Sequence, residues 1–269
     1  MMTVTIHGMT LMVWSGGNNL KSQNKLENSN KVMHYPAACG KTKIKKIVVQ
    51  VGRAGILTPM AELEPINVEG VLVRRANLYN ENEIKRKDIR EGDSVIVERA
   101  GDVIPHIVEV DKSTRPKNLP RFKFPDTCPE CGSEIDETEK EGVFKCAGEG
   151  FCGAQAIKKL KYFASCFDIT DFDNKQIELF YDLVLIRKGI DIFALEEKLE
   201  NFGLGKEWGA VADLLDSINN SRAVPLSKFI CSLEIDHIGP GMAKLLANHY
   251  KSYENWYEAM VGLPSKAEC

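Results

Sequence analysis

The spacing of apolar residues changes character along this 269-residue chain. Ile44, Ile47, Val49 and Val51 open a stretch in which short apolar runs are broken by Gly52, Gly55, Pro59, Pro65 and Gly70. Val68, Val71 and Val73 follow, then Ser94–Glu98 and Val103–Val110. Short strands with regular turn signals predict a small closed β-barrel. One charge-dense helical interlude fits at Asn80–Asp88. Arg115–Pro125 holds three prolines and four basic residues, the composition of an extended linker. From Gln155 onward the period is helical, as in Ile157, Leu160, Phe163 and Ala164, and in Ile177, Phe180, Tyr181 and Val184. Gly203, Gly205, Gly209, Gly239 and Gly241 punctuate it, so the last third reads as short helices joined by tight turns. Residues 1–42 are poorly patterned, and Gly16–Asn24 is polar enough to be expected disordered or loosely attached. The expected class is α+β and multidomain: a poorly ordered start over 1–42, a barrel over 43–122, a cysteine cluster over 123–156 and a helical domain over 157–269.

Composition changes this picture in three places. From Lys43 to Lys123 sixteen Lys and Arg face twelve Asp and Glu, whereas from Ile157 onward thirteen face seventeen. A basic first half and an acidic second half suggest separate modules. No window holds eighteen consecutive apolar residues, so no membrane span is expected. The opening MMTVTIHGMTLMVWSGG has neither a basic leader nor a small-residue cleavage site, so no signal peptide is expected. Eight cysteines in a chain without a secretory signal point to metal rather than to disulfides.

Four of them carry the clearest chemistry. Cys128-x2-Cys131, fourteen residues, then Cys146-x5-Cys152 is a pair-loop-pair spacing that wraps one tetrahedral zinc. Pro129 and Gly132 supply the turn of the first knuckle. Four thiolates leave no open position, so the ion would be structural; the competing reading is four free or disulfide-bonded thiols lying close together. Cys166 and Cys231 lie in helical patterns and read as small core residues. On the barrel, Lys45, Lys46, Arg53, Arg74, Arg75, Lys85–Lys87, Arg90 and Arg99 cluster near strand ends. A barrel of this kind can bind nucleic-acid phosphates with such residues, although for any single lysine a solvated surface explains as much. Arg74 and Arg75, beside Asn77 and Asn80, are the best phosphate candidates. There is no RNP-type aromatic pattern, so base stacking is not the main mode.

Several runs together resemble one family. Val51–Pro65 (VGRAGILTPMAELEP), Val73–Asn80 (VRRANLYN), Lys87–Asp93 (KDIREGD) and Arg99–Pro105 (RAGDVIP) are similar, in order, to the OB-fold domain of bacterial NAD-dependent DNA ligases. The cysteine spacing and Gly153-Ala154-Gln155 resemble that family's zinc finger, and Phe167–Thr170 and Ile235–Leu246 its helix-hairpin-helix array. The resemblance covers roughly residue 33 to the end. It implies an OB-fold barrel, a zinc finger and a helix-hairpin-helix domain that clamp nicked double-stranded DNA in replication and repair. It also implies a cytoplasmic bacterial setting, a monomer, and NAD and Mg as cofactors of the intact family. Helix-hairpin-helix turns offer backbone N–H groups to phosphates where glycines allow close approach. Gly239-Pro240-Gly241 is the best instance and Phe202-Gly203-Leu204-Gly205-Lys206 a second; taken one at a time, such glycines could equally be plain helix C-caps.

The departures bear on function. The family's nucleotidyltransferase domain takes up AMP on the lysine of a Lys-x-Asp-Gly motif, and these 269 residues contain no such motif. His34 stands where the family has a nucleotide-contacting lysine, and is the only cofactor-binding candidate. Ala54 replaces a Thr, Asn77 a Thr and Tyr79 a His. Asp171-Phe172-Asp173 stands where a glycine hairpin is expected, and two carboxylates there would repel phosphate. The expected function is that of a truncated NAD-dependent DNA ligase that binds nicks without sealing them alone. The alternatives are a non-enzymatic DNA-binding module, or half of a split ligase working with a separate adenylation domain.

Overall fold

The computed structural model describes residues 2–6, 9–14, 38–99, 104–203 and 209–262. Two compact units emerge, Lys25–Ala156 and Met1–Asn24 with Ile157–Cys269. The opening residues contribute β1 (Met2–Ile6) and β2 (Met9–Trp14) to the second of these. The call on Gly16–Asn24 lies outside the described residues.

The first unit is built on a closed barrel. Its strands are β3 (Ala38–Val51), β4 (Leu57–Val68), β5 (Val71–Asn77), β6 (Ser94–Arg99) and β7 (His106–Asp111), in the order β3-β4-β5-β7-β6. Alternation makes the strands: along β4, Leu57, Pro59, Ala61 and Leu63 point inward while Thr58, Met60 and Glu62 do not. The long β3 serves two partners, pairing Ala38–Lys43 with β6 and Ile44–Val51 with β4 across a bulge. A parallel contact, Asn77 with His106, closes the ring. This is the five-stranded architecture expected of an OB-fold. Ile44, Ile47, Leu63, Val73, Val95, Val97 and Ile107 fill it.

The helical interlude is α1 (Glu81–Lys87), started by Asn80, whose side chain accepts from Glu83 N–H, and stopped by Asp88 in the left-handed conformation. A two-stranded ribbon, β8 (Ile135–Glu137) and β9 (Phe144–Cys146), carries the cysteines. It belongs to the same unit as the barrel, and Val51, Leu57 and Phe124 share a core with Cys128, Cys146 and Cys152.

The prolines of residues 115–125 suggest an extended linker, and its first residue, Arg115, is tied to the barrel. Its guanidinium donates to both oxygens of the fully buried Asp93, at 2.8 and 2.9 Å, and also engages Asp88. Arg90 adds a bond to the Leu119 carbonyl at 2.6 Å. The exit segment is therefore strapped to the barrel.

The unit boundary falls within α2 (Gly153–Cys166). The helical unit continues with α3 (Asn174–Asp182), α4 (Leu195–Asn201), α5 (Gly209–Asn220), a short strand β10 (Ala223–Pro225) parallel to β2, then α6 (Leu226–Ser232), α7 (Pro240–Tyr250) and α8 (Tyr253–Val261). Phe167, Phe180, Ile186, Phe193, Leu214, Phe229 and Ile230 form its core, with Cys166 and Cys231 among them as expected. Val184 departs from the predicted helix. It lies beyond the end of α3 at φ 62°, 63% exposed. Both Leu185 N–H and Ile186 N–H donate back to Phe180 O, which turns the chain out of helical register.

Candidate metal centre and nucleic-acid interface

Two turns bring the four predicted thiols together. Cys128 and Cys131 sit on a knuckle closed by Gly132 N–H donating to Cys128 O at 2.9 Å, with Gly132 at φ 72°. Cys146 ends β9 and Cys152 precedes α2. All four sulfurs lie within 4.8 Å of one another, and Cys131 Sγ is 3.5 Å from Cys146 Sγ. Four sulfurs about 2.3 Å from a central zinc have edges of roughly 3.8 Å, so the cage fits that ion. A disulfide needs about 2 Å, and none joins the described cysteines. Outer partners are in place: Gly148 N–H points at Cys146 Sγ, 3.3 Å away, and the Ser133 hydroxyl lies 3.2 Å from Cys131 Sγ. Hydrogen bonding with Ser133 holds the Cys131 thiol down to about 6, whereas burial pushes Cys146 up to about 12 and Cys152 upward. A cation would offset that burial cost directly. The ribbon is fixed to the barrel by Cys146 N–H donating to Gly55 O at 2.9 Å and by Asn82 donating to Glu141 O at 3.0 Å. At Gly55, φ is 83° and a Cβ would meet Cys146 O and Gln155 at 3.2 Å, so glycine is required there.

The basic residues separate into two groups. Those of α1 are each paired with their own helix: Lys85 with Glu81 at 2.8 Å, Arg86 with Glu83 at 2.7 Å and Lys87 with Glu83 at 2.9 Å. Arg86, with burial opposing and Lys87 assisting, holds Glu83 down to about 2. Arg74 and Arg75 are instead exposed on β5, and Arg75 reaches Glu62 only at 3.4 Å. Arg53, on the β3–β4 turn, and Arg99, at the end of β6, are half-buried. The oxygens of Asn77 and Asn80 have internal duties, accepting from Tyr79 N–H at 2.7 Å and Glu83 N–H at 2.9 Å. These two caps were not foreseen at sequence level, although an asparagine just before a helical pattern is the signal for the second.

The glycine hairpins also divide. Gly203 sits at φ 71° just past α4, where its backbone alone requires glycine. Gly239 and Gly241 have no such need: neither has positive φ, and a Cβ on either would meet nothing within 4 Å. Gly239 caps α7 without a side-chain hydrogen bond, and Pro240 follows at the first helical position. His34 and Gly205 lie outside the described residues.

Residues 41–119 match the family model for the NAD-dependent DNA ligase OB-fold domain, which is the span of the closed barrel. A DNA ligase of Wolbachia pipientis wMel is 51% identical over 258 residues, covering 91% of this chain and 39% of that protein. By sequence, the chain matches the C-terminal part of an NAD-dependent DNA ligase. A DNA ligase of Ehrlichia chaffeensis is 48% identical over 260 residues (91% of this chain, 38% of that protein), and one of Anaplasma marginale strain Florida is 49% identical over 235 residues (85% and 35%). The chain thus spans about two fifths of the length of the ligases it matches, and corresponds to their C-terminal part. No helix among the described residues is long and apolar enough to cross a membrane.

Proposed function

We propose that this chain is the DNA-holding part of an NAD-dependent DNA ligase, engaging nicked duplex through barrel and hairpins and leaving adenylation to residues it does not contain. The observation that carries the reading is the closed barrel over the residues that match the ligase OB-fold domain. The exposed Arg74 and Arg75 are the proposed barrel contacts to phosphate, with the amide groups of Asn77 and Asn80 near them in sequence and Arg53 and Arg99 added from other strand ends. In the helical unit the α6–α7 turn is read as a helix-hairpin-helix contact, since no side chain caps the first N–H groups of α7. Cys128, Cys131, Cys146 and Cys152 would hold one zinc, which supplies structural cross-linking only, since four thiolates leave no site for substrate.

In the intact family, lysine attack on NAD, transfer of AMP to the 5′-phosphate and displacement by the 3′-hydroxyl seal the nick. Without a Lys-x-Asp-Gly motif this chain has no nucleophile for the first step. Incubated with NAD labelled in the adenylyl phosphate, it should form no covalent adduct on denaturing gels. It should bind duplex DNA with little sequence preference and with an affinity that falls steeply with salt, because each neutralised phosphate releases counterions. Changing Arg74 and Arg75 together to Ala should flatten the salt slope by about two units. A zinc-loaded chain that shows no duplex binding at low salt would overturn the reading.

A further inference from the structure

The residue after Leu78 is Tyr79, held at φ 64°, where few residues other than Gly, Asn and Asp are found. It forms the apex of a three-residue turn in which Asn80 N–H donates to Leu78 O at 2.8 Å. The positive-φ form of this turn is rare and strained. The surroundings enforce it. Leu78 is 1% exposed and its N–H donates to Pro59 O, Asn77 Oδ1 takes the Tyr79 N–H, and Asn80 must cap α1. The outcome is a tyrosine ring held out of the core and 52% exposed. Its one aromatic neighbour among the described residues is His106 on β7, at 6.2 Å and 62°, an edge-to-face contact that steadies a ring still half exposed.

Charge gives this platform a direction. Asn77 and His106 are paired across the sheet, and Arg75, exposed, precedes Asn77 on the same strand. On the other flank His106 faces Glu98, a carboxylate unfavourable to phosphate. A strand of nucleic acid laid here would keep its backbone on the arginine side and present a base to the ring. Every base has a π-face, so such a contact is indifferent to sequence.

We infer that Tyr79, steadied by His106, is a stacking site for one unpaired or frayed nucleobase, such as the base exposed at a gap or nick. The inference rests on the proposed DNA-holding role and adds to it a preference for interrupted duplex. A single platform also agrees with the lack of an RNP-type pattern, because it would take one base and not a run of them.

The test compares the full zinc-loaded chain with Tyr79→Asn and Tyr79→Phe on two probes: an intact duplex, and the same duplex with a single-nucleotide gap opposite 2-aminopurine. Asparagine tolerates positive φ, so Tyr79→Asn removes the ring while keeping the turn. The parent chain and Tyr79→Phe should bind the gapped duplex more tightly than the intact one and quench the 2-aminopurine. Tyr79→Asn should lose about five-fold or more on the gapped duplex, the loss of one base–aromatic stack. It should also lose the quenching and match the parent on the intact duplex. Equal binding of parent and Tyr79→Asn to both probes overturns the stacking site while leaving DNA binding intact, as does an equal loss on both. If the parent binds neither probe, the DNA-holding role itself falls.

Discussion

Each of the two units is stabilised internally by different forces. In the barrel unit polar groups are built into the interior: four thiols share a core with Val51, Leu57 and Phe124, and Arg115 grips a carboxylate with no solvent exposure. The helical unit relies on a continuous apolar core running from Leu160 to Trp256. Hydrophobic packing tolerates repacking, whereas buried charges and metal sites fail when one partner is removed. The barrel unit should accordingly be brittle toward single polar changes, chelators and acid. All three tryptophans of the sequence, at positions 14, 208 and 256, fall within the stretches Met1–Asn24 and Ile157–Cys269, so tryptophan fluorescence follows that unit and hydrogen exchange of residues 38–156 follows the other.

The largest expected effect is loss of the metal. Binding of a structural zinc supplies on the order of 10 kcal/mol to the folding of small zinc modules. Chelation, or Cys146→Ser, should expose the β8–β9 ribbon and the Phe124 corner to exchange while the tryptophan melting transition stays where it was. Metal analysis of purified protein should return about one zinc per chain. A metal-free chain with unchanged exchange would remove the main contrast between the units.

Next comes Arg115→Ala. Breaking a buried pair and leaving Asp93 uncompensated should cost about 3–5 kcal/mol, again in the barrel unit alone. Acid should act at the same place. The Arg115 hydrogen bond, with Arg90 assisting, lowers the Asp88 pKa from its usual value of 3.8. A lowered carboxylate pKa gives stability that is fully present above the unfolded value, about 4, and is lost as pH falls through the folded one. Glu83, held down to about 2, adds loss over a similar window. On acidification from pH 5, exchange protection of the barrel should fall before tryptophan fluorescence changes, and Arg115→Ala should flatten that acid slope.

Legibility in the sequence follows the range of the interaction. The first strand of the barrel was readable because alternation is local, as in Ile47, Val49 and Val51, whereas Pro59 and Pro65, read as breaks between strands, lie inside β4, where the chain runs on as one strand past both of them. The thiol cluster was readable because each knuckle lies within six residues of chain. Arg115 was not, because its partners lie 22 and 27 residues away and prolines gave its neighbourhood the look of a linker. Among the hairpins, spacing alone could not separate a glycine that its own φ demands, Gly203, from glycines with open space before them, Gly239 and Gly241. The Tyr79 platform was hidden for the same reason as Arg115, since His106 arrives from a distant strand.

Within the helical unit effects should be smaller and should fall on binding more than on folding. The turn into α3 is closed by its own side chains: Asp173 accepts from Gln176 N–H at 2.7 Å, and Gln176 Oε1 accepts from Asp173 N–H at 2.9 Å. The turn into α7 carries no such closure. Gly239→Val should therefore cost duplex affinity, roughly 1 kcal/mol or five-fold, at little cost in melting temperature. The double change Asp171→Gly and Asp173→Gly should raise affinity about two- to five-fold by removing two carboxylates from a helix N-terminus. Opposite signs in one low-salt titration would establish that the two turns differ in access to phosphate; equal, negligible effects would mean that neither touches DNA.

The smallest expected effect concerns Val184 and runs toward greater stability. Helix α3 ends in a complete Schellman arrangement: Leu185 N–H donates to Phe180 O at 2.9 Å and Val184 N–H to Tyr181 O at 3.0 Å. Leu185 and Phe180 are both buried in the core, which supplies the hydrophobic contact of that motif. Its left-handed position, normally a glycine, is taken here by a β-branched residue at φ 62° whose side chain is 63% exposed. Valine thus suffers the left-handed penalty, about 1–2 kcal/mol, with little burial to offset it. Glycine removes that penalty but loses more chain entropy on folding, about 0.5–1 kcal/mol. Val184→Gly should leave a net gain of about 0.5–1 kcal/mol, seen as a rise of a few degrees in the tryptophan melting transition and no change in exchange over residues 38–156. A lower melting temperature would mean that the Val184 side chain is covered in solution by something that stabilises it, and that the helical unit has a contact beyond its own core.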